Sequence, residues 1–367
     1  FKNIASDFQQ KDETQIQLSI SLLYLGLGMS QLFYGALSDS IGRKPTIYIG
    51  LLLFIIGCII SYLSNDLNTL LIGQIIQGIG LGAPRVMSVA IVRDRFEGSE
   101  MARAMSFIMV IYILTSTVSS ILGKTLIVAL NWKILFIIYS FFGIIIFLLF
   151  KYRMPETLKQ EKQKNFTLRD MIKAIAELFN NKKSISYILI LGLYSGVFIG
   201  YLNLSQFIFE FQYHLEERYP FYFAFLALSI GFASFINGKL VRKIGMERLI
   251  KIAIVSSVLI VPPYLIVNYF DTASLWVFLA FMFVQLFGYG ILIGNLSALA
   301  MQAFGHVAGL GASIVGAIST LVSVPLAIFI GHFYTNSSLP IVIGFLAVGT
   351  ISLLLINFIN RIAKYEN

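Results

Sequence analysis

Gly35-Ala36-Leu37-Ser38-Asp39-Ser40-Ile41-Gly42-Arg43-Lys44-Pro45 separates one long apolar run from another that starts at Thr46. An acid, a turn glycine, two adjacent cations and a proline fall within seven residues. Gly35 lets two helices approach closely. Gly42 can take the positive φ of a tight turn. Pro45 suits the first turn of a following helix. Arg43 and Lys44 hold the loop, read as 39–45, on the cytoplasmic side of a membrane. On these residues alone, the alternative is an ordinary basic loop between two membrane helices.

The rest of the chain demands the membrane. It is 57% hydrophobic and 12% charged, with a mean hydropathy of +0.83. A soluble domain carries about twice that charge. The net charge of +9 could indicate nucleic acid in a soluble chain. Here the cations crowd into short loops between apolar runs, which excludes that reading. Cys58 is the single cysteine, so neither an intrachain disulfide nor a cysteine metal cluster is open to the chain. His214, His306 and His332 are far apart, so no metal site and no cofactor is expected. No hydrolase or nucleotide-binding motif stands in a suitable context, and an enzyme is not expected. Gly78, Gly80 and Gly82 lie inside an apolar run and read as helix-packing residues.

Eleven runs of membrane-spanning length follow one another: 16–38, 46–64, 69–92, 104–127, 133–152, 184–209, 220–238, 247–269, 274–301, 307–331 and 339–360. This predicts an all-α polytopic membrane protein. The long hydrophilic break, 153–183, divides it into an N-terminal bundle, 1–152, and a C-terminal bundle, 184–367. Within the break Leu168, Met171, Ile172, Ile175, Leu178 and Phe179 recur at helical spacing, after Thr167 and Asp170 that suit a capping box. They read as an amphipathic helix on the inner membrane face or a soluble linker helix. Loops assigned to the cytoplasm hold 21 Lys and Arg and the opposite loops hold 5; Arg85, inside a span, completes the 27. That asymmetry fixes the orientation.

The two bundles repeat. Gly35-x-Leu37-x-x-x-Ile41-Gly42 recurs as Gly238-x-Leu240-x-x-x-Ile244-Gly245, an offset of 203. Gly78-x-Gly80 reads as matching Gly288-x-Gly290, an offset of 210. Parallel repeats of six helices are a transporter architecture. Gly238 lies 54 residues after the start of the span at 184, and the same distance back from Gly35 falls ahead of Phe1. One further span of about 20 residues is therefore expected before this sequence. Without it, Phe1 is expected on the periplasmic side and Asn367 in the cytoplasm.

Polar groups inside the spans mark candidate substrate contacts. Gln74, Gln77, Leu81, Arg85 and Ser88 fall within an arc of about 80° on a helix. Arg85 is a charge within a span, a functional-site hypothesis by default, although it could snorkel or pair structurally. The span 274–301 has a similar stripe, Gln285, Gly288, Leu292 and Asn295, and the offset of 210 puts Asn295 opposite Arg85. Tyr194, Asn203 and Gln206 add polar groups to the span 184–209. Each amide could equally bond a neighbouring helix.

The stretch 35–45 resembles the signature loop of the major facilitator superfamily, G-x-L-x-D-R-x-G-R-K/R, with Ser40 in place of the first cation. Pro155-Glu156-Thr157-Leu158 resembles the segment that follows the family's sixth helix. Gly82-Ala83-Pro84-Arg85, Val92-Arg93-Asp94, Met101-Ala102-Arg103-Ala104-Met105-Ser106-Phe107 and Ala308-Gly309 look like the bicyclomycin/chloramphenicol-resistance (Bcr/CflA) branch of drug exporters. The resemblance implies a twelve-helix fold of two pseudo-symmetric bundles, of which eleven helices are present. It implies a monomeric exporter in a bacterial inner membrane that exchanges small amphipathic compounds for protons. It makes 69–92, 184–209 and 274–301 the fourth, seventh and tenth helices, which line the family's central cavity. It also implies a conformational latch at Gly35, Asp39, Gly42, Arg43 and Lys44. In that latch Arg43 pairs with Asp94, and Asp39 approaches the start of the span 307–331. Three departures bear on coupling. Gln74 stands where the superfamily has an arginine. Thr115–Gly123 lacks the antiporter proline. The branch's acid on helix 1 is not in this sequence. An importer or facilitator, or a non-transporting remnant, are the alternatives.

Overall fold

A computed structural model describes residues 7–8, 14–96, 100–101, 104, 108, 111, 115, 131–158, 176, 178–215, 218–270, 274–304 and 308–365. The main helices are α1 (Thr14–Ile41), α2 (Arg43–Tyr62), α3 (Leu67–Arg95), α4 (Ile134–Arg153), α5 (Lys182–Phe207), α6 (Tyr219–Ile244), α7 (Met246–Leu259), α8 (Val261–Phe270), α9 (Leu275–Ala300), α10 (Ala308–His332) and α11 (Leu339–Tyr365). No strand occurs among the described residues. Ten helical segments are long and apolar enough to cross a membrane, and they coincide with ten of the eleven expected spans. The eleventh, 104–127, falls outside the described residues apart from four isolated positions. The amphipathic segment of 153–183 also lies largely outside them.

Two local readings change. The signature stretch is not a seven-residue loop. Helix α1 continues through Ile41 and α2 starts at Arg43, so Gly42 alone makes the break. Ser38 and Ser40 donate back to the carbonyls of Gly35 and Leu37 at 2.7 and 2.8 Å, which lets polar residues stay helical. Pro45 sits in the first turn of α2, where its missing N–H is no loss. The span 247–269 is two pieces, α7 and α8, meeting at Ile260. Pro262 and Pro263 remove two helical N–H groups and crowd the carbonyls four residues back, which explains the break.

Packing divides the chain into two compact units, 1–95 with 122–177 and 304–321, and 96–121 with 178–303 and 322–367. In the first unit α3 lies against both α1 and α2, and glycines set the spacing. A methyl group on Gly80 would meet the Gly50 carbonyl oxygen at 2.6 Å; one on Gly57 would meet the Gln77 nitrogen at 2.6 Å; one on Gly26 would meet the Ile75 carbonyl oxygen at 2.6 Å. Backbones this close gain dispersion contacts that replace the missing hydrophobic drive between helices in lipid. The first half of α10 also lies on α1, where Gln31 Nε2 donates to Thr320 Oγ1 at 3.4 Å.

The repeat is visible in geometry. Gly42 and Gly245 both stand between two helices, at φ 103° and 87°. Their N–H groups donate to Ser38 and Val241 carbonyls at 3.1 and 3.0 Å, positions again 203 apart. The second offset needs correction. Gly288 packs on Ala253 and Gly290 on Ile230 and Ala233. Subtracting 203 turns these neighbours into Gly50, Leu27 and Ser30, which are the neighbours of Gly80 and Gly82. The matching pairs are therefore Gly80 with Gly288 and Gly82 with Gly290, an offset of 208. Two G-x-G motifs overlap in Gly78-x-Gly80-x-Gly82, and sequence alone selected the wrong one. The shift pairs Gln77 with Gln285 and puts Ile293, not Asn295, at the position of Arg85.

Candidate functional site

The ends of α1, α2 and α3 converge with the residues after α4. Arg43, only 2% exposed, sits among two carboxylates. Its Nη1 pairs with Asp39 and donates to Ser38 Oγ at 2.7 Å. Its Nε pairs with Asp94 Oδ2 at 3.0 Å. A planar guanidinium reaches groups on separate helices at once, which a lysine could not do. Thr157 Oγ1 also donates to Asp94 Oδ2, at 3.1 Å. The structure thus brings Asp39, Arg43 and Asp94 together. Asp39 was expected to approach the start of the span 307–331, of which residue 307 lies outside the described residues.

Glu156 completes this cluster; the sequence reading places it within Pro155–Leu158 and assigns it no role. It caps the start of α2 from a distance, accepting from Arg43 N at 3.0 Å and Lys44 N at 2.9 Å. Thr157 N and Leu158 N each donate to it at 3.0 Å. Gly42 offers no side-chain cap, and a Cβ there would meet Glu156 Oε2 at 2.7 Å. Glycine is required at 42 for φ and for space. Lys44 Nζ donates to the Lys151 carbonyl at 2.9 Å, near the carbonyl end of α4. The available sequence signal was an acid just past a helix end, facing a helix start without a cap of its own. Partial burial opposes ionisation of Glu156, but the N–H groups of Leu158, Lys44, Arg43 and Thr157 outweigh it and hold its carboxyl below the usual value. Glu156→Ala should cost about 1 kcal/mol, as lost helix caps do. The depressed acidity sets the sign with pH. The contribution is complete above the ordinary carboxylate value, about 4.3, and disappears as pH falls through the lower folded value. Thermal unfolding of wild type and Glu156→Gln should differ most at neutral pH and converge in acid. A gap that stays constant down to pH 3 would contradict the cap.

The polar stripe of α3 divides. Gln77 is buried and spends its amide on α2, donating to Ser61 Oγ at 2.7 Å and the Gly57 carbonyl at 3.3 Å. Gly78 and Gly82 turn towards α1; Gly73 and Gly80 turn towards α2. On the helical wheel these contacts leave one arc of α3 uncovered. Gln74, Leu81 and Ser88 lie on it partly exposed, and Arg85 lies on it exposed. Ser88 Oγ donates to the Arg85 carbonyl at 2.8 Å. No carboxylate among the described residues lies within ion-pair distance of Arg85.

In the second unit the candidate residues do not share one surface. Gln285 and Asn295 are both fully buried. Gln285 accepts from Ser257 Oγ at 2.5 Å and donates to the Ser257 carbonyl at 2.9 Å. Asn295 exchanges amide hydrogen bonds with Asn237 at 2.7 and 3.3 Å. Both therefore join α9 to its neighbours. Tyr194 is buried at 1% exposure, whereas Asn203 and Gln206 are exposed, nine and twelve residues on and so about 180° and 120° away round α5.

The family model described as Major Facilitator Superfamily matches residues 3–327. An uncharacterised MFS-type transporter, YdgK of Bacillus subtilis, is 27% identical over 324 residues, 88% of this chain and 80% of that one. The bicyclomycin resistance protein homolog of Haemophilus influenzae is 23% identical over 360 residues, 98% of this chain and 90% of that one. The crystal structure of the transporter FucP in its outward conformation superposes with a TM-score of 0.73 at 13% identity, covering 97% of this chain and 93% of that one; this likeness speaks to the fold. With ten helices among the described residues long and apolar enough to cross a membrane, the signature turn at Gly42 and this match along most of its length, the chain belongs to the Major Facilitator Superfamily of transporters.

Proposed function

We propose that this protein exports small amphipathic compounds across a bacterial inner membrane, as a monomer, by alternating access coupled to proton entry. The carrying observation is the uncovered arc of α3, where Arg85 is exposed within a membrane span, about two turns from the end of 69–92. A charge facing hydrocarbon there would cost about 2.5–3.5 kcal/mol, so the arc is read as facing water or a polar ligand. Gln74 and Arg85 on α3 are the side chains of the first unit assigned to substrate, and Asn203 and Gln206 on α5 are those of the second. Gln77, Gln285 and Asn295 join helices within their own units, and Tyr194 is buried. The cluster of Gly35, Asp39, Gly42, Arg43, Lys44 and Asp94 is assigned to closing the cytoplasmic side. The relative named for bicyclomycin resistance supports the substrate class.

The test is proton movement in vesicles containing the full-length protein. Adding bicyclomycin on one side should drive protons the opposite way, read by a trapped pH dye. Uptake of radiolabelled bicyclomycin without proton movement would mean a facilitator, the reading that the eroded Thr115–Gly123 segment favours. Neither signal, with folded protein in the membrane, would remove the export reading.

A further inference from the structure

One apolar face of α6 ends in cations. The exposed residues Phe221, Phe225, Leu228, Phe232 and Phe235 fall within about 80° of one another round the helix. They lie in the span Phe221–Ile244, and a face of this composition belongs against hydrocarbon. Lys239 and Lys243 continue the same arc and Arg242 lies beside it; all three are exposed. Lys239 Nζ stands 4.5 Å from the centroid of the Phe235 ring, a cation–π contact at the level where the aromatic face gives way to charge. Helix α7, entered through Gly245, repeats the pattern. Arg248, Ile252 and Leu259 are exposed and fall within about 40°, with Lys251 exposed beside them. The charge asymmetry of the loops assigns this end of both helices to the cytoplasm.

The matching turn of the first unit is built differently. There Arg43 is paired with Asp39 and Asp94, and Glu156 caps α2. The offset of 203 puts Arg242 in the place of Asp39, and the offset of 208 puts Gln302 in the place of Asp94. Glu247, the one acid of residues 239–251, accepts from the Tyr187 hydroxyl on α5 at 3.2 Å. Gly245 gives α7 no side-chain cap. A Cβ on Gly245 would meet nothing within 4 Å, whereas one on Gly42 would meet Glu156. The second turn thus presents cations and open space where the first holds its own carboxylates.

We propose that the α6–α7 turn binds the headgroup of an anionic phospholipid, with the phosphate on Lys239, Arg242 and Lys243 and the acyl chains along the arc from Phe235 to Phe221. The occupant follows from the alignment of the two features. A hydrocarbon-facing arc that runs into cations on one line has the order of a phospholipid, chain first and phosphate at the water boundary. A soluble anion would use the cations and leave the arc without a role. An arginine fork and two ammonium groups suit phosphate oxygens. This binding does not depend on the direction of transport or on its coupling.

The reporter is Phe235→Trp in a Trp276→Phe background, with the full-length protein in vesicles. Brominated phosphatidylglycerol and brominated phosphatidylcholine, compared at equal mole fractions, quench the new indole when they occupy the arc. Quenching should show the anionic lipid preferred about fivefold or more, since one surface cation alone contributes about that factor. Lys239→Gln with Arg242→Gln and Lys243→Gln should bring the preference to within about twofold of parity. If that triple variant fails to fold, Lys239→Gln with Lys243→Gln should still lower it severalfold. Lys151→Gln with Arg153→Gln removes two exposed cations from the end of α4 and should leave the preference unchanged. Equal quenching by the two lipids would overturn the proposal, as would a preference that survives the changes at 239, 242 and 243. An equal loss in the α4 variant would reduce the effect to the general charge of the cytoplasmic face and overturn the site. Displacement of the anionic lipid by inorganic phosphate would make the turn a soluble-anion site and overturn the lipid assignment.

Discussion

Arg43→Ala should destabilise the first unit by about 3–5 kcal/mol, the range for removing one partner of a buried ion pair. The Asp39 and Asp94 side chains are only 18% and 13% exposed. Without the guanidinium each keeps a negative charge that water cannot fully solvate, and the two repel. Ser38 Oγ also loses the Arg43 donor. Arg43→Lys should restore about half of the loss, because an ammonium can face one carboxylate well but not both. Thermal unfolding in detergent reads the series, and a wild-type melting temperature for Arg43→Ala would refute the cluster's structural role. The latch makes a second demand. Asp39→Asn should raise labelling of Ser88→Cys by a cytoplasmic thiol reagent, since Ser88 lies on the uncovered arc of α3. The native Cys58 is buried and gives little background. Normal folding with unchanged labelling would leave Arg43 a structural ion pair and nothing more.

The turn at Gly42 was legible because its parts are close in sequence and have a fixed spacing, whereas the pairing of Arg43 with Asp94, 51 residues away, came only from the family resemblance. A helix-breaking glycine, its preceding acid and its following cations define a turn with little help from tertiary structure. The spans were legible for a similar reason: a backbone in lipid must satisfy its own hydrogen bonds, so an apolar run of sufficient length becomes a helix. The sorting of polar groups within the spans was not legible. Gln77, Gln285 and Asn295 look like ligand contacts along one helix. Their partners Ser61, Ser257 and Asn237 are 16, 28 and 58 residues away, and no periodicity within α3 or α9 reveals them. Glu156 was missed on the same ground, being 113 residues from the N–H of Arg43 that it caps. The repeat offset failed where three glycines at spacing two offered two registers, and only the neighbours Gly50, Leu27 and Ser30 decide between them. The break at Ile260 is different: Pro262-Pro263 stood in the sequence, and hydropathy outweighed it.

Arg85→Gln should leave stability within about 0.5 kcal/mol of wild type, as exposed substitutions do, and lower transport efficiency roughly 10- to 100-fold. The second figure is the weight of one hydrogen bond from a charged donor, about 1.5–3 kcal/mol. This is the opposite of Arg43, and the contrast follows from burial. Arg43 is enclosed by its carboxylates. Arg85 is exposed and has no carboxylate of the described residues within ion-pair distance, so its removal leaves no buried charge unpaired. What it serves is then a group that comes and goes. Gln74 is eleven residues earlier on the same arc, three turns of helix. In the export reading, a cation at Arg85 serves the same face of α3 from a lower level, about 16 Å along the helix from Gln74. A carboxyl group brought within about 4–6 Å of it would have its pKa lowered. Proton release and ligand capture would then compete for one site, which is the coupling proposed above. In Arg85→Gln that carboxyl should titrate at higher pH, and the pH profile of transport should shift upward or flatten. Arg85→Lys should recover part of the rate, since it keeps the charge and loses the fork. Transport by Arg85→Gln at the wild-type rate with the wild-type pH profile would make Arg85 a snorkelling surface cation and leave the coupling to other residues.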